Sequence, residues 1–301
     1  MMKKIIILLL AAFSFYGIYA AEFTGISREL PENTLQIMQI DTFGVVADIY
    51  FIRLPDGRVI VVDTGELKTA DSTLIAALDR FGIKEIDTLI LTHFHLDHVG
   101  GTFSLLNDPE IRIKKVLYTS MPYEEIPGTF SKELFRRIMY MIERKEIPLQ
   151  ELQPGDKLDF GCGVTALVVG AAEHGSKNRD LNGHSLVFQL KYKNFTALFT
   201  GDCSMQEEPR ILASGLPVKS DLLKVGHHAG ANSTSTKFLD AVAPKTAIAC
   251  MPKWLSNDAR GKRVEKMIRA RNIHFFRSWE YPDAIIFSDG NTFGVYTGNE
   301  K

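Results

Sequence analysis

Three histidines and an aspartate stand within six residues in His93-Phe94-His95-Leu96-Asp97-His98. Each is costly to bury without a partner. Metal binding explains the cluster, because imidazole nitrogen suits zinc and other transition metals and a carboxylate adds charge. His93 and His95, two residues apart, can point their rings one way while Asp97 and His98 turn toward a second point. Four ligands do not complete two sites, and further candidates each follow a predicted strand. Asp63 follows Arg58–Val62, Asp202 follows Phe195–Phe199 through Thr200-Gly201, and His227 and His228 follow Asp221–Val225 through Gly226. A lone aspartate after a strand is commonly a turn former. Several such groups together with the hexad are better explained by one convergent site.

The elements that must position these residues alternate between strand and helix. Leu35–Ile40, Ile49–Leu54, Thr88–Leu91, Val116–Thr119, Gly161–Val169, Ser185–Leu190, Thr246–Cys250, Ala284–Ser288 and Thr292–Tyr296 read as further strands. Pro55-Asp56-Gly57 makes a hairpin turn between Ile49–Leu54 and Arg58–Val62. Asp71–Phe81, Ser131–Ile147 and Arg260–Arg271 carry apolar residues at helical spacing. The alternation predicts a single α/β sandwich domain over residues 22–301, with a helical insertion at about 120–150.

With 301 residues, 45% hydrophobic and 24% charged, the composition is that of a globular chain and excludes disorder and a multi-span membrane protein. A net charge of −1 offers no basic field for nucleic acid. The arginines and lysines of 260–271 read as a solvated helix face, so nucleic acid is not favoured as a partner. Residues 1–21 carry Lys3 and Lys4, the apolar run Ile5–Phe13, and Ala20-Ala21, which is the build of a cleaved signal peptide. Export to the periplasm or the outside follows, with no stable membrane span after cleavage. Among the cysteines, Cys203 points away from the face of Asp202, and Cys162 and Cys250 lie in apolar patterns that read as core.

Asp63-Thr64-Gly65, Thr92-His93-Phe94-His95-Leu96-Asp97-His98-Val99-Gly100-Gly101, Thr200-Gly201-Asp202 and Gly226-His227-His228 together resemble the metallo-β-lactamase superfamily. Asn182-Gly183-His184-Ser185-Leu186-Val187 and Leu223-Lys224-Val225-Gly226-His227-His228 resemble, within it, the hydrolase domain attached to bacterial DNA-uptake channel proteins. Members of that subgroup usually carry Gly-Ser after the histidine pair, where this chain has Ala229-Gly230. The resemblance implies an αββα sandwich with two divalent metal ions; imidazole-rich ligation favours zinc, though a site with two carboxylates can also take manganese or iron. It places His93 and His95 on the first ion, Asp97 and His98 on the second, and Asp202 between them. One of His227 and His228 would complete the second site, Asp63 would orient ligands, and His184, His174 or Asn182 would complete the first.

Two metals supply an ionised water and polarise a substrate oxygen. Asp97 could also accept or return the proton. The expected activity is hydrolysis of a small-molecule or phosphodiester substrate, most simply as a phosphodiesterase. Hydrolysis of carbon esters, lactones or β-lactams shares the same metal core, and a non-catalytic metal-binding protein is the third alternative.

Overall fold

The computed structural model describes residues 21–297 except 28, 120–123, 125, 127, 172–179 and 231. Residues 1–20 of the expected signal peptide, and His174, lie outside the described residues.

Two sheets stack face to face. The first has nine strands. In chain order they are β1 (Glu22–Ser27), β2 (Leu35–Gln39), β3 (Tyr50–Arg53), β4 (Val59–Val62), β6 (Thr88–Leu91), β8 (Val116–Thr119), β9 (Leu149–Leu152), β17 (Ile285–Ser288) and β18 (Thr292–Tyr296). Their spatial order is β1-β18-β17-β2-β3-β4-β6-β8-β9. The second sheet runs in order through β10 (Lys157–Gly161), β11 (Val164–Gly170), β12 (Val187–Tyr192), β13 (Phe195–Phe199), β14 (Leu222–Lys224), β15 (Thr246–Ala249) and β16 (His274–Arg277). A small pair, β5 (Glu85–Ile86) with β7 (Arg112–Ile113), lies apart.

The layering follows from side-chain alternation along each strand. Tyr50 and Ile52 of β3, Ile60 and Val62 of β4, and Phe195, Ala197 and Phe199 of β13 meet in the core between the sheets. Phe51, Val59 and Val61 face out and pack with Leu74, Leu78, Leu105, Leu134, Ile138 and Ile142 from the helical side. Leu198, Leu223, Ala247 and Ala249 face the opposite outer layer, against Phe238, Leu239, Val264 and Ile268. Strands covered on both faces read as continuous apolar runs, as Val59–Val62 and Thr246–Ala249 do. The result is the expected αββα sandwich.

Several elements differ from the sequence reading. The helix expected over Asp71–Phe81 is a π turn, Asp71–Ile75, leading into an α-helix, Ala76–Arg80. The long amphipathic helix is Thr129–Arg144. Strand Gly161–Val169 begins only at Val164, because Gly161 ends β10 and Cys162-Gly163 form the turn of the β10–β11 hairpin, with positive φ at all three positions. That turn corrects the placement of Cys162: it is exposed, with its thiol 2.9 Å from Asp56 Oδ2, whereas Cys203 and Cys250 are buried.

Parallel pairing decides where the chemistry gathers. β4, β6, β8 and β9 run parallel in one sheet, and β13 to β16 run parallel in the other. Their C-terminal ends therefore lie along one edge each, and the two edges are tied together. The Leu186 amide donates to Thr92 O at 2.8 Å, and the Cys250 amide donates to the Tyr50 hydroxyl at 3.1 Å.

The segment after His98 is locked against the end of β4. Both the amide and the hydroxyl of Thr64 donate to His98 O, at 2.6 and 3.0 Å, and the Gly101 amide donates to Gly65 O at 3.1 Å. A Cβ on Gly101 would stand 2.1 Å from Thr64 O, and one on Gly100 would stand 2.4 Å from Leu67 N. These are backbone atoms that cannot rotate away. Gly101→Ala is expected to lower unfolding stability by on the order of 3 kcal/mol, read as an earlier urea midpoint with an unchanged slope; a parental midpoint would show that the approach is loose.

Candidate metal centre

The hexad straddles the end of β6. Thr92 and His93 leave the strand, and Leu96–Val99 forms a single helical turn that swings His98 inward. Asp63, at the end of β4, sits in the left-handed region with φ 57. That bend turns its carboxylate onto the neighbouring strand end. There Oδ1 accepts the Thr92 amide at 2.8 Å, and Oδ2 accepts the Thr92 hydroxyl at 2.7 Å and His98 Nδ1 at 2.7 Å.

These bonds fix the tautomers. Thr92 directs its proton to Asp63, so its oxygen accepts from His93 Nδ1 at 3.2 Å. His93 and His98 thus both carry hydrogen on Nδ1 and keep Nε2 for another partner. One buried carboxylate orders two of the three histidines. The third, His95, places Nδ1 3.0 Å from His93 Nε2.

The other sheet brings Asp202 and the histidine pair. His227, His228 and Ala229 are all left-handed, with φ of 46, 49 and 60, and this tight reversal sends the two rings different ways. His228 is buried. Its Nδ1 lies 3.0 Å from Cys250 O, a group that can only accept, and 3.2 Å from Asp48 Oδ1. Its Nε2 is therefore the free nitrogen. His227 stands at the mouth with its side chain 32% exposed, held by Asn232 Oδ1 at 2.6 Å, and with Nε2 3.9 Å from Asp202 Oδ2.

The Nε2 atoms of His98 and His228 converge on Asp202 Oδ2, at 3.2 and 3.4 Å. Beyond these ion-pair contacts, both are buried without a hydrogen-bond partner among the described residues. Asp97 Oδ2 lies 3.4 Å from His228 Nε2, with the Asp97 side chain 30% exposed. Two orphaned imidazole nitrogens around one carboxylate oxygen, with a second carboxylate alongside, form a donor set that fits a divalent transition metal.

His184 is buried at the end of the turn Leu181–His184. The next residue, Ser185, accepts the Asp202 amide on its hydroxyl at 3.0 Å, so this turn is stitched to the site. Asn182 is also buried there, with Oδ1 lacking a hydrogen-bond partner among the described residues.

Sequence reasoning missed two buried charges. Asp48, His98, Asp202 and His228 place ligand atoms within 4.8 Å of one another. Asp48, however, lies on the Nδ1 side of His228, behind the ring, and it pairs with the buried Lys224. It anchors the site and does not face its opening. Asp48 belongs to no motif, and Lys224 stands in a strand where it would pass for a solvent-facing residue.

The charges set the protonation of the metal-free site. Burial pushes the His98 imidazole down, but Asp202 and Asp63 outweigh it and lift the group to about 10. Burial opposes the charge on His228 too, and Asp202 and Asp48 carry it well above its ordinary value. Asp202 is held well below the carboxylate range by His228 and His98 despite burial. Burial, reinforced by the charge on His98, keeps His93 well below its ordinary value. Without metal the neighbouring carboxylates favour the charged form of both rings, whose Nε2 protons would face Asp202 Oδ2 in the place a metal would take.

Residues 43–253 match the metallo-beta-lactamase superfamily. The chain belongs to this superfamily. ComE operon protein 3 of Bacillus subtilis (strain 168) is 27% identical over 209 residues, which cover 69% of this chain and 25% of that protein. Competence protein ComA of Neisseria gonorrhoeae is 24% identical over 226 residues, 73% of this chain and 28% of that protein. Ribonuclease TTHA0252 of Thermus thermophilus is 25% identical over 193 residues, 62% of this chain and 42% of that protein. The likeness to competence proteins read from the sequence is therefore present, and the chain spans about a quarter of their length. Members of the superfamily are mostly metal-dependent hydrolases. Among the described residues no helix is long and apolar enough to cross a membrane.

A raised histidine stabilises the fold below its unfolded value and loses that contribution as pH rises through the folded one. The metal-free protein should therefore melt progressively earlier as pH rises from about 7 toward 10, while the metal-loaded protein should not follow that slope. Metal displacing the Nε2 protons should release close to two protons per chain near pH 7, counted with an indicator dye in weak buffer. Uptake without proton release would overturn this charge assignment.

Proposed function

We propose that this metallo-β-lactamase superfamily protein is a metal-dependent phosphodiesterase. The observation that carries the reading is the convergence of His98 Nε2 and His228 Nε2 on Asp202 Oδ2, each ring backed at Nδ1 by a buried carboxylate. Family membership supports hydrolysis. The match to a ribonuclease supports the phosphodiester class over carbon esters, lactones and β-lactams.

His93 and His95 would hold one divalent ion, with His184 from the neighbouring turn. Asp97, His98 and His228 would hold the other, and Asp202 would serve both. When bound, the ion pair, zinc, manganese or iron, supplies an ionised water and a Lewis-acid contact for a substrate oxygen. The protein's own groups do the rest. Asp63 keeps His93 and His98 in the tautomer that leaves Nε2 free. Asp97, partly open to solvent, is placed to take up and return a proton at Oδ2. His227 faces the mouth, where Asn232 orients it toward an incoming phosphoryl oxygen. The lysine-led apolar N-terminus supports an exported protein, which N-terminal sequencing of the mature protein would show as a cut near Ala20.

Metal-loaded protein is expected to bind about two ions per chain and to cleave bis(p-nitrophenyl) phosphate in preference to lactones and nitrocefin. Cleavage of nitrocefin alone would replace the phosphodiesterase reading, and loss of all activity against a retained fold would favour a non-catalytic metal binder. Asp97→Asn keeps size and removes charge and proton capacity, so turnover should fall by at least about 10²-fold with little change in melting temperature. Near-parental turnover would take Asp97 out of the chemistry.

A further inference from the structure

Lys224 is a feature of the site that the hydrolytic reading leaves without a task. It is the last residue of β14, 2% exposed, and it points into the cluster of carboxylates. Its ammonium touches Asp48 Oδ2, donates to Gly201 O at 2.6 Å and lies 3.6 Å from Asp202 Oδ1. Three oxygens from three segments thus surround it, as they would a bound cation. Gly201 presents its carbonyl from a left-handed conformation, with φ 49, and a Cβ there would stand 3.0 to 3.1 Å from Ser185 and Thr92, so the position favours glycine.

The two oxygens of Asp202 therefore face different charges. Oδ2 lies 3.2 and 3.4 Å from His98 and His228, and Oδ1 faces the Lys224 ammonium at 3.6 Å, an ion pair without a hydrogen bond among the described residues. Asp48 is divided in the same way, with Oδ2 on Lys224 and Oδ1 on His228 Nδ1. We propose that Lys224 is a positioning residue, a resident internal cation that reserves Asp202 Oδ1 so that this carboxylate offers metal only its Oδ2, and that holds Asp48 behind His228. This inference rests on the metal reading of the site. A fixed positive charge beside the site would lower its affinity for metal while limiting which carboxylate oxygens the site can offer.

Charge and geometry separate in a pair of variants. Lys224→Met has nearly the same length and no charge. Asp48→Asn combined with Lys224→Met removes one charge of each sign and leaves no buried ion unpaired. Purified full-length protein is loaded with cobalt, affinity is measured by competition with a chelator, and the visible absorption bands report coordination. Lys224→Met should bind cobalt at least about tenfold more tightly, because a like charge has been removed from a poorly screened site, and its bands should change as Asp202 swings to offer both oxygens. The double variant should return to within about threefold of the parental affinity, since its net charge is unchanged, yet keep the altered bands. Should Lys224→Met fail to fold, the double variant still decides the matter: altered bands support the positioning role and parental bands overturn it. Parental bands in both variants, with affinity equal or weaker, would make Lys224 merely structural. Cobalt uptake and phosphodiester cleavage are read separately on the parent. A parent that binds cobalt but cleaves no phosphodiester therefore fails the substrate reading alone, whereas one that binds no cobalt overturns both.

Discussion

Four carboxylates, Asp48, Asp63, Asp97 and Asp202, crowd the end of this molecule, and all but Asp97 are buried. Unpaired, each would be driven to protonate or to unfold its surroundings. The local structure is organised around compensating them. Asp63 is met by His98 and Thr92, Asp48 by Lys224 and His228, Asp97 by His228, and Asp202 by His98, His228 and Lys224. One lysine and two imidazoles are shared among four anions, which leaves an excess of negative charge of the kind that could hold a divalent cation.

Such crowding is tolerable only on a rigid support. The strands beneath are buried on both faces, and their parallel pairing brings their ends to one edge by topology instead of by loop contacts. Even so, the backbone is bent hard at the points where side chains must turn inward. Asp63, His227, His228 and Ala229 occupy the left-handed region, at a cost on the order of 1 kcal/mol each for residues that carry a Cβ. Compensating hydrogen bonds close over these bends, from Thr92 to Asp63 and from the Gly230 amide to His227 O at 2.6 Å. The site is strained where it must aim ligands and relaxed in the strands that carry it.

Much of this is legible in the sequence, and the reasons are physical. The hexad, Asp63, Asp202 and the histidine pair announce themselves because polar ligands at the ends of apolar strands have no simpler explanation, and the structure gathers Asp63, His98, Asp202 and His228 within contact distance. Two adjacent histidines cannot be told apart by type. It takes the three consecutive left-handed residues to show that His228 goes inward and His227 to the mouth. Asp48 precedes an apolar strand, where aspartate is commonplace, so nothing local marks it. Cys162 misleads because Gly161 and Gly163 flank it: a small apolar residue between strand-like stretches looks like core, while the two glycines make it a turn. Short edge strands such as β9 and β16 escape notice because their exposed residues break the apolar run.

The Asp48–Lys224 pair sharpens the distinction between stability and specificity. A buried ion pair gives up the hydration of both partners, and well-packed apolar residues of similar volume commonly serve a fold as well or better. Stability alone therefore gives little reason to place a lysine at the end of β14 among Leu222, Leu223 and Val225, all of them buried and apolar. What an apolar residue could not do is hold two carboxylates by their far oxygens. With Lys224 present, Asp202 and Asp48 are each split between a resident cation on one side and an imidazole on the other, and their rotation is fixed before any metal arrives. A site assembled from flexible carboxylates would have to freeze those rotations at the moment of binding, and side-chain ordering of that kind opposes association. The buried lysine moves that ordering into the folding of the chain, where the cooperative packing of the two sheets supplies the free energy for it.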